Sequence, residues 1–225
     1  MPLEFTRAPW FGRAFPFALY IAVLAVEGGL SHLLPGADLR LLYGAKIACV
    51  ALALTHYWKE YAELRATPRL DRWQVAASIV AGFAVFLVWI NFDQPWAVLG
   101  TAVGFSPLDA DGSIDWPLAM LRIAGAALVV PVMEELFWRS LVMRWIDRHD
   151  FLTLAPARIS LRALLISSTL FGLEHREFGA GIVAGLAYGY LYRRFSNLWA
   201  PVLAHAVTNG ILGLWVLHTR NWQFW

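Results

Sequence analysis

Residues 117–143 read PLAMLRIAGAALVVPVMEELFWRSLVM. The run is long and apolar enough for a bilayer core of ~30 Å, which a helix crosses in ~20 residues. It nevertheless contains Arg122, Glu134, Glu135 and Arg139. Charged side chains are costly at that depth and mark functional sites unless they are paired. Neighbours on a helix point about 100° apart, whereas residues i and i+4 share a face. Glu135 and Arg139 are therefore placed to pair. Glu134 points elsewhere and has no partner on its own helix. One guanidinium neutralises one carboxylate, so the spacing favours one scaffold acid and one acid kept free, the condition of a general base.

The rest of the chain has the same character. Of 225 residues, 59% are hydrophobic and 15% charged, with 12 Trp, 14 Phe and 7 Tyr. Ordinary soluble domains carry about 25% charged residues. The single cysteine, Cys49, lies in an apolar run, which excludes a disulfide framework and a thiolate metal site. No small-residue cleavage site follows the N-terminal MPLEFTRAPWFGRAF, so the first apolar run is read as a retained span. The expected fold is all-α, a polytopic transmembrane helical bundle of about seven spans, with eight as the alternative count. The spans are placed at 14–34, 39–58, 74–92, 117–143, 160–175, 178–194 and 197–217. They form a single integral membrane domain over 1–225.

Charge placement gives the orientation. Arg7, Arg13, Lys59, Arg65, Arg69, Arg72, Arg144, Arg148, Arg158, Arg162, Arg193 and Arg194 fall on one side; Arg40, Arg176 and Arg220 fall on the other. The long 93–116 connection carries Asp93, Asp109, Asp111 and Asp115 and no base. The positive-inside rule then puts the N-terminus in the cytoplasm and the C-terminus outside. Membrane lipid is an expected partner, and nothing points to nucleic acid.

Three further polar features lie in spans. His175, in TLFGLEHREFG, ends the fifth, where a lone histidine is as readily an interfacial residue. His205 and Asn209, in LAHAVTNGIL, share a face of the seventh, as an interhelical hydrogen-bonding pair or as part of a site. Ala206 and Gly210 beside them are small enough to admit another helix closely. At 1.5 Å of rise per residue, Glu134 lies ~14 Å and His205 ~12 Å from the inner boundary, but His175 comes out at ~22 Å. Glu27 and Lys46 both fall ~20 Å deep and are read as a structural ion pair.

EELFWR (Glu134 to Arg139) resembles the EExxxR motif of the CAAX-protease and bacteriocin-processing (CPBP, or Abi) family. FGLEH (Phe171 to His175) resembles its FxxxH motif, and HAVTN (His205 to Asn209) its HxxxN motif. The ordered trio covers about 117–217, the protease core. The resemblance implies a glutamate-type intramembrane endopeptidase, with a protein or peptide substrate, lipid-modified in one version, as its partner and a bacterial inner membrane as its location. Glu134 and His175 would activate water, His205 and Asn209 would steady the oxyanion or position that water, and Glu135 and Arg139 would hold the site together. No cofactor is favoured. If zinc is used, Glu134, His175 and His205 would be its ligands, since such a site takes three protein ligands and one open position. Against zinc, no HExxH occurs, and Asn209 suits an oxyanion better than a metal. The competing readings are a non-catalytic assembly or immunity factor and a proton-linked transporter. The latter predicts paired, Gly/Pro-broken spans in two similar halves, and no such repeat is seen.

Overall fold

The computed structural model describes residues 8–92, 94–100 and 104–225; Arg7 and Asp93 lie outside them. The described residues include seven long helices: α1 (Pro9–Leu33), α2 (Leu42–His56), α3 (Arg72–Asn91), α4 (Trp116–Trp145), α5 (Leu161–Leu173), α6 (Phe178–Phe195) and α7 (Trp199–Thr219). Four of them, α1, α3, α4 and α7, are long and apolar enough to cross a membrane. The chain is an all-α membrane helical bundle. Each helix overlaps one expected span. The largest shift is at α1, which starts at Pro9, where proline's fixed φ and missing N–H are tolerated in a first turn. Side chains such as Val80, Leu128 and Leu214 point outward, an apolar surface suited to lipid.

Local chemistry sets the helix ends. Asp71 and Gln74 form a capping box at α3, and Asp115 accepts from the Leu118 N–H at α4. Ser160 caps α5 and is itself held by Asp147, at 2.6 and 2.7 Å. That contact ties the start of α5 to the C-terminal end of α4.

Small residues let the helices close. A Cβ at Gly181 would lie 2.8 Å from the Cα of Gly172, and one at Gly185 2.8 Å from the Cα of Ser168. Gly181, Gly185 and Gly189 thus form a four-residue-spaced stripe that seats α6 on α5. At Gly82 of α3 a Cβ would lie 2.3 Å from the Ala204 carbonyl oxygen of α7. At Gly210 it would make ordinary contact, 3.8 Å, with the Ala127 side chain of α4.

Two buried ion pairs fasten the N-terminal helices. Lys46 Nζ lies 2.7 Å from Glu27 Oε2, joining α1 and α2 as their matched depths predicted. Near the other end of α1, Arg13 donates through Nε and Nη2 to the two Glu63 oxygens, each at 2.6 Å. Glu63 also accepts from the Ser140 hydroxyl of α4. Burial alone pushes the Glu63 carboxyl up; the Arg13 guanidinium, by hydrogen bond and charge, reverses this and leaves it below the usual carboxylate range. The charged 59–73 connection is therefore in part a buried clamp against α1 and α4.

Candidate functional site

The site starts with a departure from helical geometry. α4 is not α-helical throughout: Gly125–Val129 and Leu136–Val142 are π-helical, with Glu134 and Glu135 in the α-helical turn between. A π-bulge inserts one residue into a helix and re-aims the side chains beyond it.

Glu135 is fully buried and divides its two oxygens. Oε2 lies 3.0 Å from Arg139 Nε, and Oε1 lies 3.0 Å from His205 Nδ1. A carboxylate only accepts, so the Nδ1 of His205 carries the proton, which leaves Nε2 with a lone pair in the neutral ring. Arg139, also buried, places its guanidinium over Phe171 at 4.3 Å, while its two terminal nitrogens have no hydrogen-bond partner among the described residues. It relies on Glu135 for its countercharge.

Glu134 sits beside this network without joining it. Its side chain is buried, and Oε2 has no hydrogen-bond partner among the described residues. The nearest imidazole nitrogen, His205 Nε2, is 3.9 Å away, beyond hydrogen-bonding reach.

His175 lies two residues past the end of α5, yet its ring comes to the level of Glu134. The His175 ring folds back by one turn onto α5, where Nδ1 donates to the Phe171 carbonyl at 2.8 Å. Ser167 bonds the Trp138 carbonyl at 3.2 Å, which keys α5 to α4. The ~22 Å depth expected for His175 counted its backbone and not the direction of its side chain.

Glu134, His175, His205 and Asn209 all border one cavity of about 210 Å³. Asn209 donates one amide hydrogen to the Ala126 carbonyl at 2.8 Å, inside the first π segment, and keeps a second. His205 stacks on Tyr188, with centroids 5.0 Å apart and planes at 20°. The Tyr188 hydroxyl donates to Thr208 Oγ1, which bonds the Gly82 carbonyl of α3 at 2.8 Å. Tyr188 and Thr208 were not singled out in the sequence; aromatic and hydroxyl residues in an apolar helix carry no signal of their own. Glu174 accepts from Trp138 Nε1 at 3.0 Å. Its carboxylate groups with Glu134 and His175, donor atoms all within 4.8 Å. Glu174 thus stands in that triplet where the sequence placed His205.

Residues 116–211 match the Rce1-like family of type II CAAX prenyl endopeptidases. The match supports the CPBP family for this segment. The CPBP-like core so delimited begins at the first turn of α4 and ends within α7, enclosing the cavity wall that bears the acids and histidines. A curated relative is the Bacillus subtilis protein named "Putative membrane peptidase YdiL", 28% identical over 93 residues. That alignment takes 40% of this chain and covers 34% of the relative, so about a third of that protein's length is matched. No solved structure matches the chain significantly. The helices before the CPBP core, α1 to α3, contribute Tyr20, Tyr43 and Trp89 to the cavity wall.

Proposed function

We propose that the chain is an intramembrane endopeptidase that hydrolyses a peptide bond of a membrane-associated or lipidated protein, with Glu134 as the base that activates water. The observation that carries this is the buried Glu134 carboxylate, unbonded at Oε2, on a cavity shared with two imidazoles and an amide. Water hydrogen-bonded to Glu134 gives up a proton to that carboxylate as its oxygen attacks the scissile carbonyl. His175 and His205 each spend Nδ1 on a fixed acceptor, so each presents Nε2 to hold that water. The remaining Asn209 amide hydrogen meets the oxyanion. The proton on Glu134 then passes to the leaving nitrogen as the C–N bond breaks. Enclosure in a low-dielectric bundle strengthens each of these contacts.

The grouping of Glu134, Glu174 and His175 favours zinc as a second reading, because those donors suit it and their atoms already approach one another. Bound there, zinc would polarise the attacking water, while Glu135, Arg139 and Asn209 would keep the same roles as in the metal-free reaction. We place the protein in a bacterial inner membrane with its N-terminus in the cytoplasm, on the strength of its arginine distribution.

The test is comparative proteomics of membranes holding the unsubstituted protein or Glu134→Gln, with the purified enzyme then assayed on the shortened substrate. Cleavage should vanish in Glu134→Gln and persist in a strong chelator. Activity lost to chelation and restored by zinc selects the second reading. Full cleavage by Glu134→Gln rejects Glu134 both as the base and as a zinc ligand.

A further inference from the structure

Arg122 is the fourth charge of the 117–143 run, and the proposed reaction does not use it. It borders the 210 Å³ cavity with Glu134, and also a second cavity of about 620 Å³ toward the outer side. The other cations on these two walls are taken: Lys46 by Glu27 and Arg40 by Asp38. Among the described residues no carboxylate lies within ion-pairing distance of Arg122. Two aromatic rings hold its guanidinium instead, Tyr43 at 4.3 Å and Phe105 at 5.0 Å. Stacking engages the faces of a guanidinium and leaves the N–H edge free, the edge that grips a carboxylate with two hydrogen bonds.

The first π segment brings this cation into line with the base. Twelve α-helical residues separate positions by about 120° around the axis. The one-residue insertion at Gly125–Val129 makes twelve behave as eleven, which leaves about 20°. Arg122, Ala126, Val130 and Glu134 accordingly all line the same cavity. That wall carries an acid at one end and an unpaired cation at the other, about 16 Å apart along the helix. An extended peptide covers that span in about five residues.

We infer that Arg122 is a specificity residue that receives a carboxylate of the peptide substrate about five residues from the bond cleaved at Glu134. This rests on the peptidase reading and adds a substrate class to it. The carboxylate is either the peptide's C-terminus or an acidic side chain.

Binding tests it without need of turnover. Full-length Glu134→Gln protein in detergent is offered three matched pools of short apolar peptides: C-terminal acids, C-terminal amides, and amides with one internal Glu. The acid pool, the Glu pool or both should be retained about 10- to 100-fold better than the neutral amides, the range of a charge-assisted pair. Which pool is favoured identifies the source of the carboxylate. Arg122→Gln should abolish the preference, and Arg122→Lys should keep part of it. Equal retention of all pools, including none of any, overturns the inference, as does a preference that survives Arg122→Gln. Arg122-dependent binding of phosphatidylglycerol vesicles over phosphatidylcholine, with no peptide preference, assigns the anion to lipid and also overturns it. Cleavage by the unsubstituted protein that ignores peptide charge rejects this inference alone and leaves the peptidase reading in place.

Discussion

Glu134 and Glu135 are adjacent and chemically identical, yet the same substitution at each should fail in opposite ways. Glu135→Gln removes the countercharge of a buried Arg139, whose Nε sits 3.0 Å from Oε2 and whose terminal nitrogens have no hydrogen bond. Breaking one side of a buried ion pair costs about 3–5 kcal/mol, because the remaining charge stays desolvated. For a chain of this size each kcal/mol is worth about 2–4 °C, so melting should fall by about 6–20 °C. His205 also loses the acceptor that fixes its Nδ1 proton, so activity should fall as well. Glu134→Gln breaks no hydrogen bond at Oε2 and replaces a buried acid by an amide of the same size. Its melting temperature should hold or rise, while turnover drops by about 10²–10⁴, the usual contribution of a general base. The assay is thermal unfolding in detergent, read by tryptophan fluorescence, beside peptide cleavage by the same preparations. Equal melting losses in the two variants would refute the division of labour, as would an unshifted Glu135→Gln.

Other consequences can be checked with the same preparations. Asn209→Ala removes the 2.8 Å bond to Ala126 and the spare amide hydrogen; cleavage should fall about 10²–10³-fold, as for oxyanion donors elsewhere, with melting changed by only a few degrees. Gly82→Ala puts a Cβ 2.3 Å from the Ala204 carbonyl oxygen, pushing α3 off α7; overpacking of that kind should cost about 1–3 kcal/mol in melting measurements. Glu63 sets an acid limit. Its carboxyl is depressed in the folded state, so its stabilisation is complete above the unfolded carboxyl value of about 4.3 and is lost as pH falls through the lower folded value. Melting against pH should therefore steepen on the acid side, and Glu63→Gln should start lower at neutral pH and flatten that limb.

The helical bundle was legible in the sequence because length and hydropathy are summed locally. A run such as 117–143 reports its own partition into lipid whatever its neighbours do. The i, i+4 pairs were legible for the same reason: Glu135 with Arg139 needs only the period of one helix. Even Lys46 with Glu27, an interhelical pair, came from counting residues inward from two boundaries. The three motifs could be quoted in order, but no spacing within them places His175 beside Glu134 or gives Glu135 to His205.

Those contacts were decided by tertiary structure, since each depends on how helices meet. The π segments interrupt the period that sequence reasoning assumes, and with it the face on which Arg122 lies. The fold-back of the His175 ring onto the Phe171 carbonyl brings it to the depth of Glu134. The clamp of Arg13 on Glu63 joins residues 50 apart in the chain, and its members read alone as surface charges. Sequence determined which segments leave water and which polar groups they carry with them, because those are sums over neighbouring residues. Structure alone decided which of those groups share a dry cavity, because that is set by packing between segments with no fixed spacing along the chain.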